Sequence, residues 1–209
     1  MSPETGKKMA KILSIITAVT GIMVIIGWVF DVRVLKSISP AWVSMKFDTA
    51  VSFLLSGIIL YFIARAFEGE FDKAQIAISI TSLTLVLLMG TLFFSHFLSV
   101  RTGAEDIFVK EVEATPHTVV PGRPSAPTML NFILIALAGM MTMLRYTNLK
   151  LALKAIGFTV GLVGVLPVIG YIINAPLFYY SIEGINSAMA LHTAVLFILI
   201  GIGFVCLSD

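Results

Sequence analysis

Few side chains in this protein are equipped for chemistry, and most of them stand in or beside long apolar runs. Asp48, Asn131 and His192 are polar or ionisable groups within reach of a membrane interior, where such groups are costly unless paired or used. A carboxylate and an imidazole can hold a small polar ligand between them. Water at the interface, or a helix-capping role for Asp48, satisfies them equally well, and Asn131 also suits a hydrogen bond between helices. Trp28 and Tyr171 supply amphipathic rings that fit a headgroup belt or the mouth of a pocket. His96 and His192 fall toward the same side of the chain. If they face one another they form the arrangement a haem or metal requires, the alternative being hydrogen-bonded or interfacial histidines. His117 sits in a long polar connection and is the least suited of the three.

Other chemistries are excluded by what is missing. A single cysteine, Cys206, allows neither an intrachain disulfide framework nor a multi-cysteine metal site. No phosphate-cradling glycine loop, His-Glu-x-x-His or serine-histidine-acid context occurs, so no enzyme and no resident cofactor is expected. Fourteen Lys and Arg against twelve Asp and Glu give a net charge of only +2, and these are not clustered as nucleic-acid binding demands.

The elements that must position these residues are membrane helices. The chain has 209 residues, 58% of them hydrophobic and 12% charged, with a mean hydropathy of +1.00. A crossing needs about 20 apolar residues, and six uncharged stretches qualify, at 12–30, 49–64, 76–100, 127–144, 155–173 and 188–207. The second is the shortest. Pro167 should kink the fifth and leave a carbonyl to be satisfied by a neighbour. Eight Lys and Arg lie on the side of the termini and six on the other, which also holds seven of the twelve acids. Positive-inside reasoning places both termini in the cytoplasm.

The even-numbered spans begin alike, with Thr49, Phe53, Gly57, then Thr128, Phe132, Ala136, then Thr193, Phe197, Gly201. A spacing of four keeps the three positions on one helix face. One residue earlier stand Asp48, Pro127 and His192, and the preceding spans end in Gly27-Trp28, Ser95-His96 and Gly170-Tyr171. The chain is read as an all-α integral membrane protein, one domain over 1–209, built of three two-helix hairpins. These repeats cover 12–66, 74–146 and 151–207. Copies of two helices share one orientation, so a pseudo-threefold axis along the membrane normal follows, with an expected central cavity opening outward. Part of the long connection at 101–126 is expected to lie across its mouth. The acidic residues there, Glu105, Asp106, Glu111 and Glu113, are expected to form a solvated face.

The segments S-M-K-F-D-T-A-V-S-F-L-L-S-G at 44–57, A-M-A-L-H-T-A-V-L-F-I-L-I-G at 188–201 and G-Y-I-I-N-A-P-L-F at 170–178 resemble the N-terminal membrane region of prokaryotic PAS-containing sensor histidine kinases and related diguanylate cyclases. The resemblance implies a sensory input module of the prokaryotic plasma membrane, without a catalytic signature of its own. At this length no kinase or cyclase domain is expected within the chain, which would be either a fragment without its signalling output or a free-standing relative that hands its signal to another membrane partner. A small ligand or the bilayer would be sensed from the outer half, and the sixth span would transmit to a cytoplasmic signalling domain or partner, with a homodimer the expected assembly. A small transporter or channel along the same axis is the alternative.

Overall fold

The computed structural model describes residues 2–111 and 118–208. His117 and Glu113 lie outside the described residues. Six helices have the length and apolarity to cross a membrane: α1 (Pro3–Val29), α3 (Phe47–Phe67), α4 (Phe71–Phe97), α5 (Ala126–Met143), α6 (Leu149–Ile173) and α7 (Leu191–Ser208). A short α2 (Arg33–Lys36) and 3₁₀ turns at Ala104–Asp106 and Pro176–Tyr179 occupy the connections at one end, here termed the capped face. Both termini lie at the opposite, termini face. The protein is thus an all-helical, multi-pass membrane protein. Among the described residues the only β pairing is an isolated bridge between Ile182 and Asn186.

Local sequence explains where these helices start and stop. Ser2 caps α1 by accepting from the Thr5 amide, with Pro3 in the first turn, and Ser125 caps α5 in the same way through Thr128. Asn174 closes α6 in the left-handed conformation that ends many helices. Several buried hydroxyls bond within their own helices, as Thr17 does to the Leu13 carbonyl and Thr142 to that of Ala138, since lipid offers no alternative partner.

Several boundaries differ from the apolar runs. α1 begins at Pro3 because Lys7, Lys8 and Lys11 continue the helix into the polar layer, where Lys11 meets Glu68 at 2.6 Å. The second span is not the shortest: α3 has 21 residues, against 18 each for α5 and α7. It is lengthened by a buried start that includes Asp48 and by an end at which Arg65 pairs with Glu70. α6 continues unbroken through Pro167. Proline removes the hydrogen bond to the carbonyl four residues earlier, which is that of Val163. The Tyr180 hydroxyl donates to that oxygen at 3.1 Å.

The helices form two rings. The apolar windows of α3, α5 and α7 are each 50% buried, and those of α1, α4 and α6 only 33%, 33% and 28%. The first three therefore form the centre and the others a lipid-facing shell, whose Ile15, Val19, Ile22, Ile80, Leu87, Phe158 and Leu162 are exposed. The strongest packing joins α1 to α3, α4 to α5 and α6 to α7. At the centre the fully buried rings of Phe53, Phe132 and Phe197 form a triangle with centroid separations of 4.8, 4.9 and 5.0 Å.

Two hairpins are packed through matching close approaches. A methyl group added at Gly21 of α1 would lie 2.7 Å from the Ala50 carbonyl oxygen, and one at Gly164 of α6 would lie 2.5 Å from that of Ala194. One added at Gly57 would meet the Ser14 carbonyl at 2.6 Å, and one at Gly201 the Gly157 carbonyl at 2.6 Å. Without a hydrophobic drive between helices in lipid, such backbone contact supplies dispersion attraction directly.

Candidate functional site

The sequence-derived candidates gather at the capped face, one turn from the aromatic triangle. Thr49, Thr128 and Thr193 are all buried there. Asp48, in the first turn of α3, is 2% exposed, and its Oδ2 has no hydrogen-bond partner. The helix-capping position belongs instead to Lys46. His192, in the first turn of α7, is half-buried with Nε2 unpartnered. Each therefore has hydrogen-bonding capacity that the protein itself leaves unused, an uncommon condition for buried polar atoms. Glu105 and Asp106 lie close enough for their charge to act on Asp48.

The remaining candidates act as fasteners. Trp28 Nε1 donates to the Met45 carbonyl at 2.9 Å, and the Tyr171 hydroxyl donates to the Met189 carbonyl at 2.9 Å. Lys36 Nζ lies 4.8 Å above the Trp28 ring, while Tyr171 stacks on Tyr179 at 4.4 Å and touches Trp42 at 5.0 Å. Asn131 Nδ2 donates across the helix interface to the Val160 carbonyl at 3.4 Å. His96 is half-buried near Arg123. Among the described residues no three His, Cys, Asp or Glu side chains come together as a metal would need.

The connection between α4 and α5 is fastened by charge. Arg123 is 5% exposed and pairs with the buried Glu105; its Nε donates to Glu105 Oε1 at 3.0 Å, and its Nη2 donates to Ser95 Oγ at 2.7 Å and the Val100 carbonyl at 2.8 Å. Ser95 completes the knot, at 2.8 Å from Glu105. Burial by itself pushes the Glu105 carboxyl up, but hydrogen bonds from Arg123, its own loop backbone and Ser95 outweigh it and hold the group below the ordinary carboxylate value. A second buried pair joins Lys46 Nζ to both Glu111 oxygens at 2.7 and 2.8 Å, and the Gly122 amide donates to the same carboxylate at 2.6 Å. Burial pulls the Lys46 ammonium below the usual lysine range, against the attraction of Glu111.

These pairs correct the expectation of a solvated acidic face: Glu105 and Glu111 are buried at 2% and 7% exposure and tie the connection down. The Val119 amide reaches Ser187 Oγ at 3.0 Å and the Ala126 amide reaches Asn186 Oδ1 at 2.9 Å, so the same connection also grips the start of α7. Sequence reasoning did not find Lys46, Ser95, Glu105, Glu111 or Arg123 as site residues. The available signal was Arg123 between Gly122 and Pro124, a charge in a turn that directly precedes a membrane helix. Where a central cavity was expected, the rings of Phe53, Phe132 and Phe197 pack against one another. A groove of about 460 Å³ runs along the α4 flank, lined by Gly90, Thr91 and Phe94, and reaches Ser95 and Val100 of the Arg123 knot; a cavity of about 370 Å³ lies at the termini face.

At the capped face Asp48 presents an unpartnered acidic oxygen and His192 an unpartnered imidazole nitrogen, each in the first turn of its helix. A carboxylate oxygen accepts from a donor, and an imidazole nitrogen can donate or accept. Comparison of the chain with protein-family models, with curated proteins and with solved structures finds no match.

Proposed function

We propose that this protein is a sensory input module of a prokaryotic plasma membrane, with both termini cytoplasmic, that binds a small ligand or responds to the bilayer from its outer half. The observation that carries this reading is that Asp48 Oδ2 and His192 Nε2, two of six buried polar side-chain atoms without a partner among the described residues, stand at matching positions in the first turns of α3 and α7. The resemblance to sensor histidine kinase and diguanylate cyclase input regions supports the same assignment. Three hairpin repeats about a pseudo-threefold axis are part of the proposal, supported by the near-equal Phe53, Phe132 and Phe197 separations and by the matched glycine contacts of the first and third hairpins. The three rings close the axis, which disfavours a transport pathway along it.

A ligand that engages Asp48 or His192 must favour one packing of the helices over another by its differential affinity. α7 carries His192 in its first turn and packs along both α6 and α1, so it is the element suited to carry a displacement to the termini face. A cytoplasmic signalling domain or partner, within a homodimer, would read it.

Native mass spectrometry of gently extracted protein tests the site. The wild type is expected to retain a small polar molecule that both Asp48→Asn and His192→Gln lose. Equal retention by all three proteins would overturn the pocket. A Soret band abolished by His96→Ala and His192→Ala would establish the haem alternative instead.

A further inference from the structure

We infer that the buried start of α3 binds a small monovalent metal cation of the sodium class, with the Asp48 carboxylate as its counter-charge and Ser52 Oγ as a second ligand. The balance of buried charge calls for a cation there. Among the described residues five charged side chains are buried: Lys46, Asp48, Glu105, Glu111 and Arg123. Glu105 is paired with Arg123 and Glu111 with Lys46, which leaves Asp48 as one negative charge without a counter-ion. Lys46 is only two residues away in sequence, but its Nζ is engaged by both Glu111 oxygens and by Thr118 Oγ1 at 3.1 Å. Arg101 is taken up by Asp106 in the same way. The charges that act on Asp48 are those of Glu105 and Asp106, of its own sign. A buried carboxylate in that setting is costly until a cation joins it.

The unused oxygens fit a metal ion better than a proton. Ser52 is fully buried one turn beyond Asp48, on the same face of α3, and its Oγ has no partner. Ser44 Oγ, in the segment leading into α3, and Asp106 Oδ1 are buried and unpartnered as well. A proton on Asp48 would neutralise the charge and leave the hydroxyl oxygens unused, whereas a hard cation takes carboxylate and hydroxyl oxygens together. The single uncompensated charge sets the valence, since a divalent ion would leave the interior with one positive charge in excess. Room sets the size. Neither the α4 groove nor the cavity at the termini face is lined by Asp48, and a bare ion needs no more space than a water molecule. An organic ammonium needs far more. The inference rests on the sensing reading for Asp48 alone and makes no use of His192, so the two can be separated.

The test uses the whole protein in lipid nanodiscs at mildly alkaline pH, with sodium chloride replacing N-methylglucamine chloride at constant ionic strength. The melting temperature of the wild type should rise with sodium, by mass action on the folded state, and the protein should bind radiolabelled sodium at one ion per chain. Both responses should be lost in Asp48→Asn. In sodium-free buffer that variant should melt no lower than the wild type, because it removes an uncompensated buried charge, so its loss of response is not a loss of fold. Ser52→Ala should shift the response to higher sodium, and His192→Gln should leave it unchanged. A melting temperature independent of sodium, or a response kept by Asp48→Asn, would overturn the site. Stabilisation by calcium and not by sodium would overturn the monovalent assignment. An organic molecule lost from both Asp48→Asn and His192→Gln, with no sodium response in the wild type, would uphold the sensing pocket and overturn the cation as its occupant.

Discussion

The first and third hairpins are fastened at the capped face by an aromatic donor on a backbone carbonyl, whereas the middle hairpin is fastened by a buried ion pair. Trp28 to Met45 and Tyr171 to Met189 are the same joint built twice, following Gly27 and Gly170. Where they have Trp or Tyr the middle hairpin has His96, and Arg123 instead binds Glu105, Ser95 and the Val100 carbonyl. A neutral donor on a carbonyl is indifferent to charge nearby. An ion pair held in low dielectric is not, because its partners remain costly whenever they are separated. The fold thus places two inert joints beside one electrostatic joint, and the electrostatic joint borders Asp48.

Breaking this contrast should produce effects in a definite order. Arg123→Ala leaves Glu105 buried without its cation and is expected to cost about 3–5 kcal/mol of stability, read as a large fall in melting temperature in detergent. A variant as stable as the wild type would mean the pair does not hold the connection. Next come the close approaches: Gly57→Val and Gly201→Val force side chains against the α1 and α6 backbones, at about 1–3 kcal/mol each. Their losses should be similar, since each glycine meets a carbonyl at 2.6 Å; a tolerated substitution at only one site would separate the two hairpins. Removing the aromatic donors by Trp28→Phe and Tyr171→Phe should cost about 1 kcal/mol each, again nearly equal by chemical denaturation.

The mildest perturbation is pH. Glu105 is held below its ordinary value of 4.5, so its contribution is complete above that value and is lost as pH falls through the lower folded value. The melting temperature should decline below about pH 4.5 less steeply in Glu105→Gln than in the wild type. Identical profiles would contradict the assigned role.

Much of this architecture was legible because membrane helices announce themselves by uninterrupted apolar length. The Thr-x3-Phe spacing located three residues, Phe53, Phe132 and Phe197, that meet at the centre. Asp48 and His192 were legible because ionisable groups beside such spacing are rare. Helix ends were less so: Lys7, Lys8 and Lys11 interrupt the hydropathy without interrupting the helix. The electrostatic roof was not legible, since Lys46 and Glu111 are 65 residues apart and Arg123 and Glu105 are 18 apart. Nothing local in an acidic connection distinguishes a buried carboxylate from a solvated one. Nor does any local pattern announce Tyr180, whose hydroxyl fills the vacancy that Pro167 leaves on the Val163 carbonyl.

The claim that the polar site communicates with the termini face is open to one direct measurement. Cys206 is the only cysteine, so a spin label there and a second at Lys8→Cys report the separation of α7 from α1 in lipid nanodiscs. Changing Asp48→Asn and His192→Gln should shift that distance distribution, as altered packing at the start of α3 and α7 is passed along α7. Distributions unchanged from the wild type, in protein that remains folded, would contradict transmission through this helix.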